Sequence, residues 1–437
     1  MSSALDAATT RFVANHPKSA ELHQGALASL PGGNTRTALW TAPFPISIAR
    51  GEGYKVWDED GNEYNDFVSD LTAGLYGHSH PVLQQALVQA IYTIGTNLGG
   101  TTKYEQRYAS LLCERFGLDL LRFSNSGTEA NIHALAAARR FTGRRKVIAF
   151  RGAYHGSVLA FANGVAANNV DPEDWIVCQY NDVVGLEEAF QANKEVAAVI
   201  LEAAQGSGGS IPANPEFLDA VRSLSQEAGA LFILDEVMTS RLGPGGLKGV
   251  LQLKPDLVTL GKYLGGGMPF GAFGGRADIL SVYDPRSSSS LAHSGTFQNN
   301  ALMLNAGFIG ASQVYTADVA EALNRRGDEL RAALNKAFEG TIFCVTGRGS
   351  LMCVHAPKNG LRPQDIACKD DVAPFEDLDL KKLFWLEMLE AGFWLQLRGS
   401  IALNIQLPDE VLSAFVDAVR GFCKKNIGII ALPSSLT

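Results

Sequence analysis

Five short apolar runs in the middle of the chain each end on residues that can do chemistry. Leu118–Phe123 is followed by Ser124-Asn-Ser-Gly-Thr-Glu129, and Lys146–Phe150 by Arg151-Gly-Ala-Tyr-His-Gly156. Val196–Leu201 is followed by Glu202, Ala230–Leu234 by Asp235-Glu236, and Asp256–Gly261 by Lys262 with Gly265-Gly-Gly267 close behind. Ligands of open parallel sheets bind beyond the carboxyl ends of the strands. A hydroxyl-rich loop, an aromatic and an imidazole, carboxylates and an amine are therefore expected to converge on one site.

Each group suggests a chemistry and also has a plainer explanation. Asn125-Ser-Gly-Thr128 opens a helix, where backbone N–H groups and the helix dipole suit a phosphate monoester; an ordinary helix N-cap would use the same residues. Lys262 follows a strand that should be buried, where desolvation lowers an amine's pKa and makes it nucleophilic towards carbonyls. Alone, it would more often be a lysine whose amine snorkels to the surface. Asp235 ends a strongly apolar strand and needs a buried cationic partner. A protonated pyridine nitrogen, as in pyridoxal phosphate (PLP) enzymes, would be one. Tyr154 offers a ring that could stack on such a heterocycle or simply fill a core.

These groups require an α/β scaffold. The runs are apolar almost continuously, as parallel strands covered on both faces should be. They alternate with helical stretches such as Thr128–Phe141, with Ile132, Leu135, Ala136 and Arg139 at helical spacing, and Asn214–Ala228. The ends differ. An amphipathic helix and Pro31-Gly-Gly33 open the chain, and Gly53–Tyr64 reads as a hairpin around Asp60-Gly61. After the long helix Ala317–Phe338 come short strands near 342–355 and 393–406 and a final helix, Asp409–Lys424. The expected organisation is an N-terminal segment, 1–65, packing with the small domain and a partner subunit, a large domain, 66–315, and a smaller α+β domain, 316–437.

Composition limits the classes. The 437 residues carry 37 Lys and Arg against 45 Asp and Glu, a net charge of −8, which leaves no basic excess for a nucleic acid. Only 19% are charged and 46% hydrophobic, pointing to large buried surfaces, including surfaces between subunits. The six cysteines have no metal spacing, so no metal is expected. No apolar run approaches the ~18–20 residues of a membrane span. Met1–His16 does not read as a secretory signal, and Ser435-Leu-Thr437 is not Ser-Lys-Leu. A cytoplasmic protein is expected.

Taken in order, the motifs resemble those of the class III aminotransferases of PLP fold type I. The resemblance rests on Asn125-Ser-Gly-Thr-Glu-Ala130, Tyr154-His-Gly156, Asp235-Glu-Val237, Thr259-Leu-Gly-Lys262 with Gly265-Gly-Gly-Met-Pro-Phe-Gly271, and Ser294-Gly-Thr-Phe-Gln-Asn-Asn300. Gly77-His-Ser-His-Pro81 fits earlier in the chain. The resemblance implies a fold type I transferase: a large domain with a mainly parallel sheet of the seven-stranded type, a smaller α+β domain, and pyridoxal 5'-phosphate as cofactor. Lys262 would hold PLP covalently and shuttle the substrate proton, and Asp235 would keep the pyridine nitrogen protonated. Val237 and Tyr154 would flank the ring, Ser126, Gly127 and Thr128 would hold the phosphate, and His155 and Glu202 would complete the cofactor site. Thr296 would reach the phosphate of the neighbouring subunit, making the catalytic unit a homodimer.

Pro31-Gly-Gly-Asn-Thr-Arg36 looks like the segment in glutamate-1-semialdehyde 2,1-aminomutases and β-amino-acid aminotransferases, where an Arg binds substrate carboxylate. Only Asn34 and Thr35 separate the Gly pair from Arg36, which is similar to the shorter, β-phenylalanine type. Arg398, in Leu397-Arg-Gly-Ser-Ile-Ala-Leu403, matches the Arg that receives the keto acid there. Ornithine and γ-aminobutyrate transaminases carry a Glu that pairs with an active-site Arg where this chain has Ser207, and a Pro where it has Ala203. Something else must hold Arg398. The expected activity is transfer of an amino group from an aromatic β-amino acid to 2-oxoglutarate or pyruvate in two half reactions. The alternatives are the aminomutase reaction, an amine or D-amino-acid transaminase, and a non-catalytic binding protein on the same fold. A nucleotide-binding dehydrogenase fits poorly, because Pro269 and extra glycines break the Gly-x-Gly-x-x-Gly pattern.

Overall fold

A computed structural model describes residues 2–96 and 98–432. Ser435–Thr437 lies outside the described residues. The largest sheet has seven strands: β1 (Leu120–Ser124), β2 (Lys146–Phe150), β3 (Trp175–Cys178), β4 (Val196–Leu201), β5 (Leu231–Asp235), β6 (Leu257–Gly261) and β7 (Gly271–Gly275). Their order across the sheet is β1-β7-β6-β5-β4-β2-β3. The pairs from β6 through to β3 are parallel, and β7 runs antiparallel between β6 and β1. Every residue of β4, β5 and β6 is buried, and each fully buried Val, Leu or Ile contributes about 1.5–3 kcal/mol over exposure. The centre of the sheet is thus the most expensive part to unfold, and the ends of its strands make a rigid platform.

Two strands carried no clear signal in the sequence. β3 is short, and β7 is Gly-Ala-Phe-Gly-Gly, a composition that weakens strand propensity. The glycines of β7 answer to the chain's own backbone. A β-carbon on Gly271 would lie 2.1 Å from the Ser126 carbonyl oxygen, and one on Gly275 2.1 Å from that of Asp256. Helix α1 (Gly127–Thr142) starts directly after β1 and packs on the sheet through Ala130, Asn131, Ala134, Leu135, Ala137 and Ala138. The expected stripe through Ile132 is therefore corrected: Ile132 is 36% exposed. Small alanines let the helix lie closer to the sheet than an isoleucine face would.

The two ends of the chain meet. The N-terminal stretch holds two helices, Ser2–Asn15 and Pro17–Ala26, interrupted at His16-Pro17. The Lys55–Asp58 and Glu63–Asp66 hairpin turns at Asp60-Gly61, and its second strand pairs in parallel with Phe393–Trp394. Phe12 packs 5.6 Å from the Trp385 ring on helix Leu378–Glu390. Strands β8 (Cys344–Arg348), β9 (Leu351–His355) and β10 (Ser400–Ala402) form an antiparallel sheet. The last helix runs Asp409–Ile430, longer than expected.

One run of four residues departs together from ordinary backbone. Ser69, Asp70, Leu71 and Thr72 all have positive φ, 47°, 41°, 54° and 81°, a left-handed turn costing roughly 1–2 kcal/mol per residue. It is held from several sides. Val68 and Ser69 N–H donate to Asp66 Oδ1, and Ser69 Oγ donates to the Ala402 carbonyl at 2.9 Å. The buried Arg241 donates to the Thr72 carbonyl at 3.3 Å. Among the described residues no helix is long and apolar enough to cross a membrane, and no group of three or more His, Cys, Asp or Glu could hold a metal.

Candidate active site

A cleft of about 920 Å³ opens at the carboxyl ends of the strands. It is lined by Ser126, Gly127 and Thr128 after β1, Tyr154 and His155 after β2, Glu202 after β4, Asp235 and Val237 at the end of β5, and Lys262 after β6. Arg36 and Arg398 join them from the two ends of the chain. Thr296 does not line this cleft. It lies exposed in the segment after His293, next to Phe297, which is 57% exposed.

Asp235 is 3% exposed and its carboxylate is tightly organised. Oδ2 accepts from Asn131 Nδ2 at 2.8 Å and from His155 Nδ1 at 2.7 Å, and Oδ1 accepts from the Val237 N–H at 2.9 Å. Asn131 also donates to the His155 carbonyl and accepts from the Thr259 hydroxyl. Three donors fix the carboxylate while Oδ1 retains acceptor capacity towards the cleft. Asn131 and Thr259 were not among the expected site residues. The signal was present for Asn131: an amide on the alanine face of α1 must find buried partners.

Lys262 begins a short 3₁₀ turn with φ 55°, an uncommon conformation for a residue with a β-carbon. Among the described residues it makes no ion pair. Burial lowers the pKa of its amine, while the Asp235, Asp70 and Glu202 carboxylates push back. The result is an amine with more free base than an exposed lysine has.

The loop before α1 is shaped for close approach. Ser126 caps the helix, its Oγ accepting from the Glu129 N–H, and Glu129 reaches back to the Asn125 N–H. The first N–H groups of the helix lack intrahelical partners, and Ser126, Gly127 and Thr128 all line the cleft. A β-carbon on Gly127 would lie 2.8 Å from Val237, and one on Gly156 would lie 2.4 Å from Thr128 Oγ1. Two loops can therefore pinch the same volume only because both positions are glycine. Tyr154 is 46% exposed, which excludes the core-filling reading and leaves its ring facing the cleft.

Glu202 accepts from the N–H groups of Tyr154 and Gly206, each at 3.1 Å. Burial, reinforced by Asp235, raises its pKa to about 7 against these bonds and His155. Glu236 is buried beside the Gly246–Val250 helix, accepting from the Lys248 N–H at 2.8 Å with Oε2 unpartnered. Burial raises its pKa to about 7 as well. A carboxyl whose folded pKa is raised favours the folded state while protonated in both states, and that contribution disappears as pH rises from about 4.5 through about 7. The unfolding free energy measured in urea should therefore fall between pH 5 and 8. Glu236→Gln should remove up to about 3 kcal/mol of that fall, and an unchanged slope would refute the assignment.

The arginines are held differently. Arg36 pairs with Asp70 at 2.9 Å at the mouth of the cleft, both half-exposed. Arg398 Nε donates to Gln396 Oε1 at 2.8 Å, so the partner that Ser207 cannot provide is a neutral amide two residues away. Asp70 owes its position to the left-handed turn, for which the sequence carries no glycine signal.

The model of the class III aminotransferases matches residues 37–404. An uncharacterized aminotransferase of Schizosaccharomyces pombe is 48% identical over 99% of this chain and 98% of its own length. A β-phenylalanine transaminase of Variovorax paradoxus is 44% identical over 96% and 95%. The crystal structure of a β-phenylalanine aminotransferase from Variovorax paradoxus superimposes with a TM-score of 0.95 and 42% identity, covering 99% of this chain and 100% of that one. The chain belongs to the class III aminotransferases, enzymes that depend on PLP. The cleft fits that cofactor: a desolvated amine that makes no ion pair among the described residues, a carboxylate with an open lone pair, a helix N-terminus with two hydroxyls, and a cradle that a β-carbon on Gly127 would fill.

Proposed function

We propose that this aminotransferase takes the amino group of an aromatic β-amino acid and passes it to a keto acid, 2-oxoglutarate or pyruvate, in two half reactions. The observation that carries the reading is the presence of two arginines, Arg36 and Arg398, in the cleft that holds Lys262. A planar guanidinium binds a carboxylate bidentately, and donor and acceptor each bring at least one, 2-oxoglutarate two. PLP, when bound, supplies the electron sink for a carbanion at the substrate carbon. Lys262 Nζ moves the proton from and to that carbon, and Asp235, whose Oδ1 keeps acceptor capacity, would hold the ring nitrogen in its protonated form. Val237 and Tyr154 confine the ring, Ser126, Gly127 and Thr128 take the phosphate, and His155 and Glu202 hold this frame from behind. The chain works as a homodimer in this reading, with Thr296 contributed to the neighbour's phosphate site. Its exposure beside Phe297, and the 85% exposure of Tyr92, support that arrangement. Six free thiols suit a reducing, cytoplasmic setting.

The test is a substrate panel. With both enantiomers of β-phenylalanine and 2-oxoglutarate, glutamate should accumulate. If no keto acid, pyruvate included, is converted to its amino acid while glutamate 1-semialdehyde is isomerised without an acceptor, the aminomutase reading replaces this one. Arg398→Ala should cost about 1.5–3 kcal/mol in kcat/KM for 2-oxoglutarate and less for pyruvate. Equal losses would count against a role for Arg398 in holding the second carboxylate.

A further inference from the structure

Beneath the Arg398 turn lies a buried charged cluster that does not reach the cleft. It comprises Lys381, Glu376 and His355, with side chains 7%, 11% and 3% exposed. Lys381 Nζ sits 3.2 Å from Glu376 Oε2 and donates to the Arg398 carbonyl at 2.8 Å. The Cys353 thiol approaches the same carbonyl at 3.6 Å. Glu376 Oε1 accepts from the Ala356 N–H at 2.7 Å, and Oε2 faces His355 Nδ1 at 3.5 Å. His355 Nε2 lies 3.2 Å from the Gly209 carbonyl, which also accepts from Thr346 Oγ1. Nε2 also lies 2.8 Å from Thr346 Oγ1, so the ring bridges Glu376 to the Thr346 hydroxyl and the Gly209 carbonyl.

Stability alone does not account for these residues, since replacing a buried ion pair by apolar side chains of similar volume is often neutral or stabilising. What distinguishes the cluster is where its ends attach. One end grips the main chain of Arg398, and the other grips Gly209, in the Gly206–Ser210 loop whose Ser207 and Ser210 line the cleft. The turn beneath Arg398 is close-packed, since a β-carbon on Gly399 would lie 2.2 Å from the Val354 carbonyl oxygen.

We propose that Lys381, acting with Glu376 and His355, is a positioning residue that fixes the Arg398 main chain against the Gly206–Ser210 loop and so sets how tightly a dicarboxylic acceptor is held. This rests on the reading that Arg398 receives an acceptor carboxylate. The experiment is calorimetric binding of glutarate, an unreactive dicarboxylate, to the PLP-loaded enzyme. Lys381→Met keeps the apolar stem and leaves Glu376 facing His355; it should weaken glutarate about tenfold, as expected for a displaced binding group. Lys381→Arg should recover most of the loss. In an Arg398→Ala background, Lys381→Met should add no further loss, because the two act through one contact. Wild-type affinity in Lys381→Met, or losses that simply multiply in the double variant, would overturn the proposal. Unchanged affinity in Arg398→Ala would instead remove the acceptor reading beneath it. Should Lys381→Met not fold, the double variant Lys381→Met/Glu376→Gln, which removes the same donor without leaving Glu376 as an unpaired buried charge, takes its place. A loss of about the same size supports the proposal, and wild-type affinity overturns it.

Discussion

Lys262→Ala should lower transamination by about four orders of magnitude or more, because the chain would lose both its amine nucleophile and its proton carrier. The protein should nonetheless fold. Lys262 makes no ion pair among the described residues, burial already disfavours its charge, and alanine meets the same positive φ that lysine does. Removing a desolvated amine therefore costs the fold little. PLP should still bind through the groups around it, without a covalent link. Borohydride reduction followed by peptide mapping separates the cases: a pyridoxyl adduct on Lys262 in the native chain, and none on the corresponding peptide of the variant. A native chain without that adduct would end the assignment of Lys262, whatever its activity.

Asp235→Asn should be the second most damaging change, about 10²–10³-fold in kcat, the scale of losing a preorganised electrostatic partner. The reason lies in the donors around it. Asn131 Nδ2 and His155 Nδ1 both point at Oδ2, and the Val237 N–H points at Oδ1. An asparagine that turns its oxygen to the first pair must present its NH₂ to the Val237 N–H and to the ring nitrogen. Donor then faces donor, and the protonated ring loses its counter-charge. Folding is expected to survive, since the amide is nearly isosteric and neutral. Single-turnover rates and the pH dependence of the cofactor's absorbance report the effect directly. A loss below tenfold would mean that another group sustains the ring's charge.

The cleft was legible where its groups follow buried strands. Glu202, Asp235 and Lys262 each end an apolar run, and a polar residue at that point has few other places to go. What escaped was geometry without a residue-type signal. The turn at Ser69–Thr72 uses four ordinary residues in a conformation normally left to glycine, so Asp70 could not be placed beside Arg36. Strand β7 was hidden by its glycines, which read as loop but exist because Ser126 and Asp256 carbonyls crowd their α-carbons. Lys381 looks like any helix lysine in the sequence; only the approach of helix Leu378–Glu390 to the Arg398 turn shows it to be buried. Period and propensity report burial along an element, whereas these features depend on which elements meet.

Burial also governs when Lys262 becomes reactive. Its lowered pKa comes first from desolvation, and the strand ends that enclose it span residues from the 120s to the 260s, with both ends of the chain closing the cleft. In an unfolded or half-made chain the same amine is an ordinary, protonated lysine, one among many and slow to attack carbonyls. Reactivity is thus withheld from the nascent polypeptide and conferred by the completed tertiary structure. Free aldehydes, the cofactor included, then meet a competent amine only where the rest of the catalytic apparatus already surrounds it.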